Sequence, residues 1–250
     1  MPQHTGQDKS SEQHFYDELF ARRGRFDQFG QDVYRQMARL AQEGAPGKLA
    51  LDIGCGAGDL SLCLIDEGFR VVSADLSIEA LRIAIETVHG AGHDPSSINA
   101  DAEHLPLPDA SVDACLCSLL LHHFSTLLPI ASEIRRVLKP GGIVVALDAN
   151  GHNPFAFLYF NVIHRFWHLS GLTPNQRALQ CGEIERAFRE QGFHDFEFSS
   201  ISTALKRDWL GGGIGATLNF HTRAAALRVS EALLPQIRRG NCLLSRFQRD

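Results

Sequence analysis

The chain is poor in several features that would narrow its chemistry at once. Its six cysteines, at positions 55, 63, 115, 117, 181 and 242, form no CxxC pair, so neither a zinc knuckle nor a dithiol redox centre is expected. Most lie inside apolar runs, which suits reduced, buried thiols of a cytoplasmic protein. The first twenty residues, MPQHTGQDKSSEQHFYDELF, lack the basic start and apolar run of a signal peptide, and no stretch has the length of a membrane span. A cytoplasmic location is expected. A basic surplus is also missing: 24 Lys and Arg against 29 Asp and Glu leave a formal net charge of -5, so a general nucleic-acid binder is not expected. There are no repeats and no low-complexity tracts.

What is present describes an ordinary globule. The 250 residues, 44% hydrophobic and 21% charged, are enough for one large domain or one domain with an appendage. Charge is unevenly placed: Lys206 to Asp250 carries eight Lys or Arg against three acids, about +5, so the rest carries about -10. Short β-rich runs alternate with helix-like ones. KLALDIG (48–54), RVVSAD (70–75), SINAD (97–101), VDACLCS (112–118) and GIVVALD (142–148) read as strands. DLSLCLIDEG, ended by Gly68, SIEALRIAIETVHG with Ser77 as N-cap, LPIASEIRRVL and GEIERAFREQGF read as helices. Such alternation predicts a doubly wound α/β fold, a mostly parallel sheet with helices on both faces. DFEFSSIST (195–203) and CLLSRFQ (242–248) add two strands near the end.

In such a sheet ligands bind at the carboxyl ends of the strands. Asp52 to Gly58, Asp75, Asp101 with Ala102, Ser118 to His123, and Asp148 to Asn150 therefore share one crevice. Gly54, Gly56, Ala57 and Gly58 leave the backbone there bare, so that another molecule can lie against it. The nicotinamide pattern G-x-G-x-x-G fails, because its third glycine falls on Asp59 or Ser61. Asp75, 21 positions after Gly54, suits the two hydroxyls of a ribose. Asp101 suits an exocyclic amine, and the Ala102 N–H a ring nitrogen. Asp52 beside the glycines disfavours pyrophosphate and favours an ammonium or sulfonium. The expected ligand is a nucleoside with a cationic amino-acid tail.

LDIGCGAG, SADLS, NADAEHLPLPDASVDAC, LLLHHF and RVLKPGGIVVALD, in this order, resemble the motifs of class I methyltransferases dependent on S-adenosyl-L-methionine (SAM), over about residues 45 to 150 and the terminal strands. The resemblance implies SAM as cofactor and S-adenosyl-L-homocysteine (SAH) as product. It also implies a seven-stranded sheet with an antiparallel last strand, and donor-site residues at Tyr16, Asp52, Gly54, Cys55, Gly56, Gly58, Asp75, Leu76, Asp101, Ala102, Ser118 and Leu119. Cys55 is small enough for the tight turn and is not read as a nucleophile. The departure from the family pattern is the roughly forty residues between the last two strands, where a short hairpin is usual.

Methyl transfer is an in-line displacement, so alignment and exclusion of water come first. A base is needed when the acceptor is a weakly acidic hydroxyl. His122 or His123, with Asp148 fixing the tautomer, supplies one, and the combination is similar to that of natural-product and sugar O-methyltransferases. Adjacent histidines on an extended chain cannot both point inward. Transfer to a hydroxyl of a natural product, sugar or lipid is thus expected. The alternatives are C- or N-methylation of a quinone- or lipid-like acceptor, and a SAM-binding protein without transfer. No Asp/Asn-Pro-Pro-Tyr stretch and no Pro-Cys pair point to nucleobase methylation. Asp148, Asn150 and Asn153 imitate only part of a magnesium site, and no metal is expected.

The expected organisation is a helical cover at 1–45 and a SAM-binding core at 46–204 with an acceptor-side helix at 153–171. A helical insertion or lid at 205–240 and a final strand at 241–250 follow. Glycines 211, 212, 213 and 215 suit a hinge. The insertion is expected to wall the acceptor pocket, to pair two copies as a homodimer, or to meet a peripheral membrane or lipid-like acceptor.

Overall fold

A computed structural model of the chain describes residues 9–25, 30–163, 173, 175–203, 225, 228–230 and 232–250. Seven strands form one sheet: β1 (Leu49–Ile53), β2 (Arg70–Asp75), β3 (Ser96–Asn99), β4 (Val112–Ser118), β5 (Leu138–Ala149), β6 (Phe193–Ile201) and β7 (Cys242–Arg249). Their order is β3-β2-β1-β4-β5-β7-β6. Pairs from β3 through β5 are parallel, and β7 runs antiparallel to both β5 and β6. This is the expected seven-stranded sheet. β5 starts four residues earlier than its apolar run because Leu138 pairs with Val112 before a bulge, so KPGG is carried within the strand.

Alternation along the central strands divides the core. Leu51 and Ile53, Cys115 and Cys117, and Val144 and Ala146 face one layer. Ala50, Ala114 and Leu116, and Val145 and Leu147 face the other. The first layer is closed by α5 (Leu128–Val137) and α7 (Cys181–Arg189), through Ile130, Ile134 and Phe188. The second is closed by α2 (Gln31–Gly44) and α3 (Asp59–Asp66), through Met37, Ala38 and Leu64. Within the expected 1–45 cover, α2 is thus a core helix, because its Met37, Ala38 and Ala41 are fully buried against the sheet. The other helix there, α1 (Lys9–Arg23), crosses the carboxyl ends of the strands.

Local signals explain the helix boundaries. α3 ends at Gly68, φ +84, with Phe69 N–H bonded to Leu64 O and Gly68 N–H to Ile65 O, the paired bonds of a left-handed glycine stop. α4 (Ile78–Gly90) starts from Ser77, whose Oγ accepts from Ala80 N–H. After β5, Asn153 caps the short α6 (Pro154–Phe157), which continues as one π-helical turn, Leu158–Ile163. The rest of the expected 153–171 helix and most of 205–240, including the four glycines, lie outside the described residues. The short α8 (Gln236–Arg239) leads into β7. No helix among the described residues is long and apolar enough to cross a membrane, and the six cysteines form no disulfide.

Candidate active site

The chain leaves β1 toward β2 on one side and later returns through β4 on the other, so the crevice opens where the sheet order reverses. Gly54, Gly56 and Gly58 all have positive φ, +70, +52 and +83, a region costly for residues with a Cβ. Gly54 and Cys55 N–H both bond to Ala74 O, and Gly56 N–H bonds to Asp75 Oδ2 at 2.9 Å. The loop is therefore anchored to the end of β2. Asp75 Oδ1 accepts from Ser77 N–H at 2.9 Å, while Asn99 Nδ2 donates to the carbonyls of Asp75 and Leu76. Burial raises the Asp75 carboxyl above its usual range, against the lowering effect of these N–H groups.

The other acids are differently engaged. Asp52 alternates with Leu51 and Ile53 and so lies on the α2–α3 side of the sheet. It is fully buried, and Oδ2 accepts from Ser61 Oγ at 2.6 Å. Its Oδ1 has no partner among the described residues. Burial, with the Asp75 charge adding, pushes its pKa up to about 7. Asp101 accepts from Glu103 N–H and is paired with Lys9 of α1, which also bridges to Glu103. Burial opposes ionisation of Asp101, but Lys9 and the Glu103 N–H outweigh it and hold the carboxyl low. Ser118, Leu119 and Ala102 are half-buried at the strand ends. Leu119 has φ +54 and bonds through its N–H to Leu147 O; a leucine held there is strained, as functional loops often are.

The two histidines separate. Both lie in the 3-10 turn Leu121–His123, which ends the extended run and lets both rings turn inward. His122 Nδ1 lies 2.9 Å from Asp148 Oδ1, which also accepts the His122 backbone N–H at 3.0 Å. Burial keeps His122 well below the usual histidine range, with His123 and Arg177 adding. Burial likewise raises Asp148, against the His122 and Leu121 N–H groups. Among the described residues Nε2 of His122 makes no hydrogen bond; the ring meets Phe160 edge-on. His123 is engaged at both nitrogens. Nδ1 faces Glu12 Oε2 at 3.3 Å and Thr173 Oγ1 at 3.5 Å. Nε2 faces Tyr16 Oη at 3.3 Å and Gln176 Nε2 at 3.2 Å.

Glu12, Lys9 and Gln176 are thus site neighbours beyond the sequence reading. Glu12 and Tyr16, four apart on α1, share one helix face, and that spacing was the available signal. No comparable signal marks Gln176. Asn150 Nδ2 donates to Ile237 O and Gly240 O, and Asn153 Nδ2 to Ser230 Oγ and Arg238 O. Both amides hold the turn before β7. Among the described residues no cluster of three His, Cys, Asp or Glu could hold a metal ion.

This sheet order and glycine loop define a class I SAM-dependent methyltransferase fold. Residues 51–146 match the family described as methyltransferase domain. A demethylmenaquinone methyltransferase of Geobacillus stearothermophilus is 34% identical over 185 residues, 66% of this chain and 79% of that protein. A malonyl-[acyl-carrier protein] O-methyltransferase of Yersinia pestis is 31% identical over 198 residues, 78% of this chain and 72% of its own. Among solved structures, phosphoethanolamine N-methyltransferase 2 of Haemonchus contortus in complex with SAM superposes with TM-score 0.67. It is 20% identical and covers 98% of this chain and 58% of that one. The chain belongs to the SAM-dependent methyltransferases, of small-molecule type.

Proposed function

We propose that the chain methylates a hydroxyl oxygen of a natural product, sugar or lipid-like acceptor, with His122 as base and Asp148 as its orienting acid. The bond from His122 to Asp148, with no hydrogen bond to Nε2 among the described residues, carries this reading. The His122 backbone N–H donates to Asp148 Oδ1, and Nδ1 lies 2.9 Å from the same oxygen; the tautomer with the proton on Nδ1 makes that contact a hydrogen bond to the carboxylate and leaves the lone pair on Nε2. A neutral, buried imidazole of this kind can take a hydroxyl proton, and Asp148 stabilises the imidazolium that results.

The residues fit the donor. Each oxygen of the half-buried Asp75 accepts one backbone N–H, which leaves acceptor capacity for two ribose hydroxyls. Gly54, Gly56 and Gly58 keep the loop bare, and Leu76, Asp101, Ala102, Ser118 and Leu119 would border the nucleoside. When bound, SAM supplies an electrophilic methyl group on a sulfonium. The chain's own part is to hold donor and acceptor in line, keep water out, and move the hydroxyl proton to His122 Nε2.

A second reading, C-methylation of a quinone-like ring, is favoured by the similarity to the demethylmenaquinone methyltransferase; deprotonating a ring hydroxyl would serve it too. Labelled SAM offered with a panel of sugar and aromatic hydroxyl compounds, a demethylated quinol and malonyl-acyl carrier protein distinguishes them. Label on a hydroxyl oxygen supports the proposal. Label only on carbon, nitrogen or carboxylate overturns it.

A further inference from the structure

The second histidine stands in a network that joins three distant parts of the chain. Glu12 Oε2 meets His123 Nδ1, and Glu12 Oε1 accepts from Asn175 Nδ2 at 3.3 Å. Tyr16 Oη meets His123 Nε2 and accepts from Gln176 Nε2 at 2.9 Å. The α1 helix, the turn after β4 and residues Thr173 and Gln176 thus meet on one imidazole. His123, with both nitrogens occupied, has none left for an acceptor hydroxyl. Its ring packs 4.3 Å, centroid to centroid, from that of His122, so whatever fixes His123 also limits how His122 can turn.

Glu12 is 5% exposed, and a carboxylate so enclosed needs its partners. Burial opposes its charge, yet His123, Thr173 and Asn175 together hold its carboxyl below the usual range. The apolar seating of α1 is slight. Its buried residues are Glu12, Leu19 and Phe20, and Phe20 packs into a small cluster with Ala57, Ala80 and Ile83 beside Gly56, with Tyr16 against it. Polar ties of α1 join Lys9 to Asp101 and Glu103, and Asp17 to Ser77 Oγ at 2.6 Å. These reach the ends of β3 and β2, which with the end of β4 beside His123 border the donor crevice.

We propose that Glu12 and His123 form a clasp that seats α1 over the donor end of the crevice, and that His123 is a positioning residue for transfer rather than its base. The clasp retains SAM and SAH by holding the helix shut, and it steadies the neighbouring His122 ring. It rests on the donor placement proposed above.

The test is a double-mutant cycle on the full chain with SAH as probe, using Glu12→Ala, His123→Ala and both together. Calorimetry reads affinity, and hydrogen exchange reads residues 9–23 with and without SAH. A carboxylate and imidazole enclosed together in this way predict that each single variant weakens SAH about ten- to a hundredfold. The double variant should be no weaker than the worse single, and α1 should lose its SAH-dependent protection in all three. Glu12→Gln keeps the volume and one acceptor. It should recover part of the affinity, and it gives the answer if the alanine variant does not fold. SAH affinity within about twofold of wild type in the folded single variants, or losses that multiply in the double variant, overturn the clasp. Asp75→Ala, measured beside them, separates the two failures. Unchanged SAH affinity in that variant means that the donor site itself lies elsewhere. Weakened affinity there with unchanged affinity in Glu12→Ala rejects the clasp alone.

Discussion

Replacing Asp75 by alanine removes two things at once, and the structure lets them be measured apart. Its oxygens accept Gly56 N–H and Ser77 N–H, each at 2.9 Å, so the carboxylate pins the glycine loop to the start of α4 before any ligand arrives. A hydrogen bond to a charged group contributes about 1.5–3 kcal/mol. Because the site is only half-buried, water can replace part of what is lost, and a drop of about 2–3 kcal/mol in ligand-free stability is expected. The lost ribose contacts weaken SAH separately, by a further 2–3 kcal/mol or about 30- to 150-fold in Kd. Urea unfolding without ligand gives the first quantity and calorimetry on the folded variant the second. Asp75→Asn, which keeps one acceptor oxygen but turns an NH2 toward a backbone N–H, should fall between wild type and alanine in both. SAH affinity within about threefold of wild type in a folded Asp75→Ala would refute the assignment of this carboxylate to the donor.

Gly58→Ala should cost about 2–4 kcal/mol in urea unfolding, since φ is +83 and a Cβ would stand 3.1 Å from Ala84 Cα and Cβ; a loss below about 0.5 kcal/mol contradicts the packing described. Asp52 has a folded pKa raised to about 7, so its ionisation opposes folding. Unfolding free energy should fall as pH climbs from about 4 to about 7 and then level. Asp52→Asn should remove that part of the slope, and identical slopes in the two proteins would show that Asp52 does not titrate in this range. Because burial lowers the pKa of His122, turnover should stay on its plateau down to below the ordinary histidine range and fall only at more acid pH. An acid limb centred above pH 6.5 would count against His122 as base.

Most of the fold was legible because the central strands are buried on both faces and read as apolar runs between turn residues. β2 and β4 lie where RVVSAD and VDACLCS predict them. Ser77 caps α4 as its position before the apolar period suggests. The pairing of His122 with Asp148 was legible for a related reason: residues at the carboxyl ends of neighbouring strands are brought together by the sheet itself. The partners of His123 were not, because Glu12 and Gln176 reach it by tertiary docking across 111 and 53 residues. The bond of Asp52 to Ser61 was not legible either, because it depends on the two-residue period of β1 turning the side chain under α3. Lys9 is a similar case, for nothing local marks one lysine at the start of a helix as the partner of Asp101.

The central claim is that His122, oriented by Asp148, removes the acceptor's proton. It is tested most directly by turnover of His122→Ala beside its SAH affinity, on whichever hydroxyl compound takes the label. A loss of about 10²–10⁴ in turnover with SAH affinity unchanged is expected. Wild-type turnover in a folded His122→Ala would contradict it.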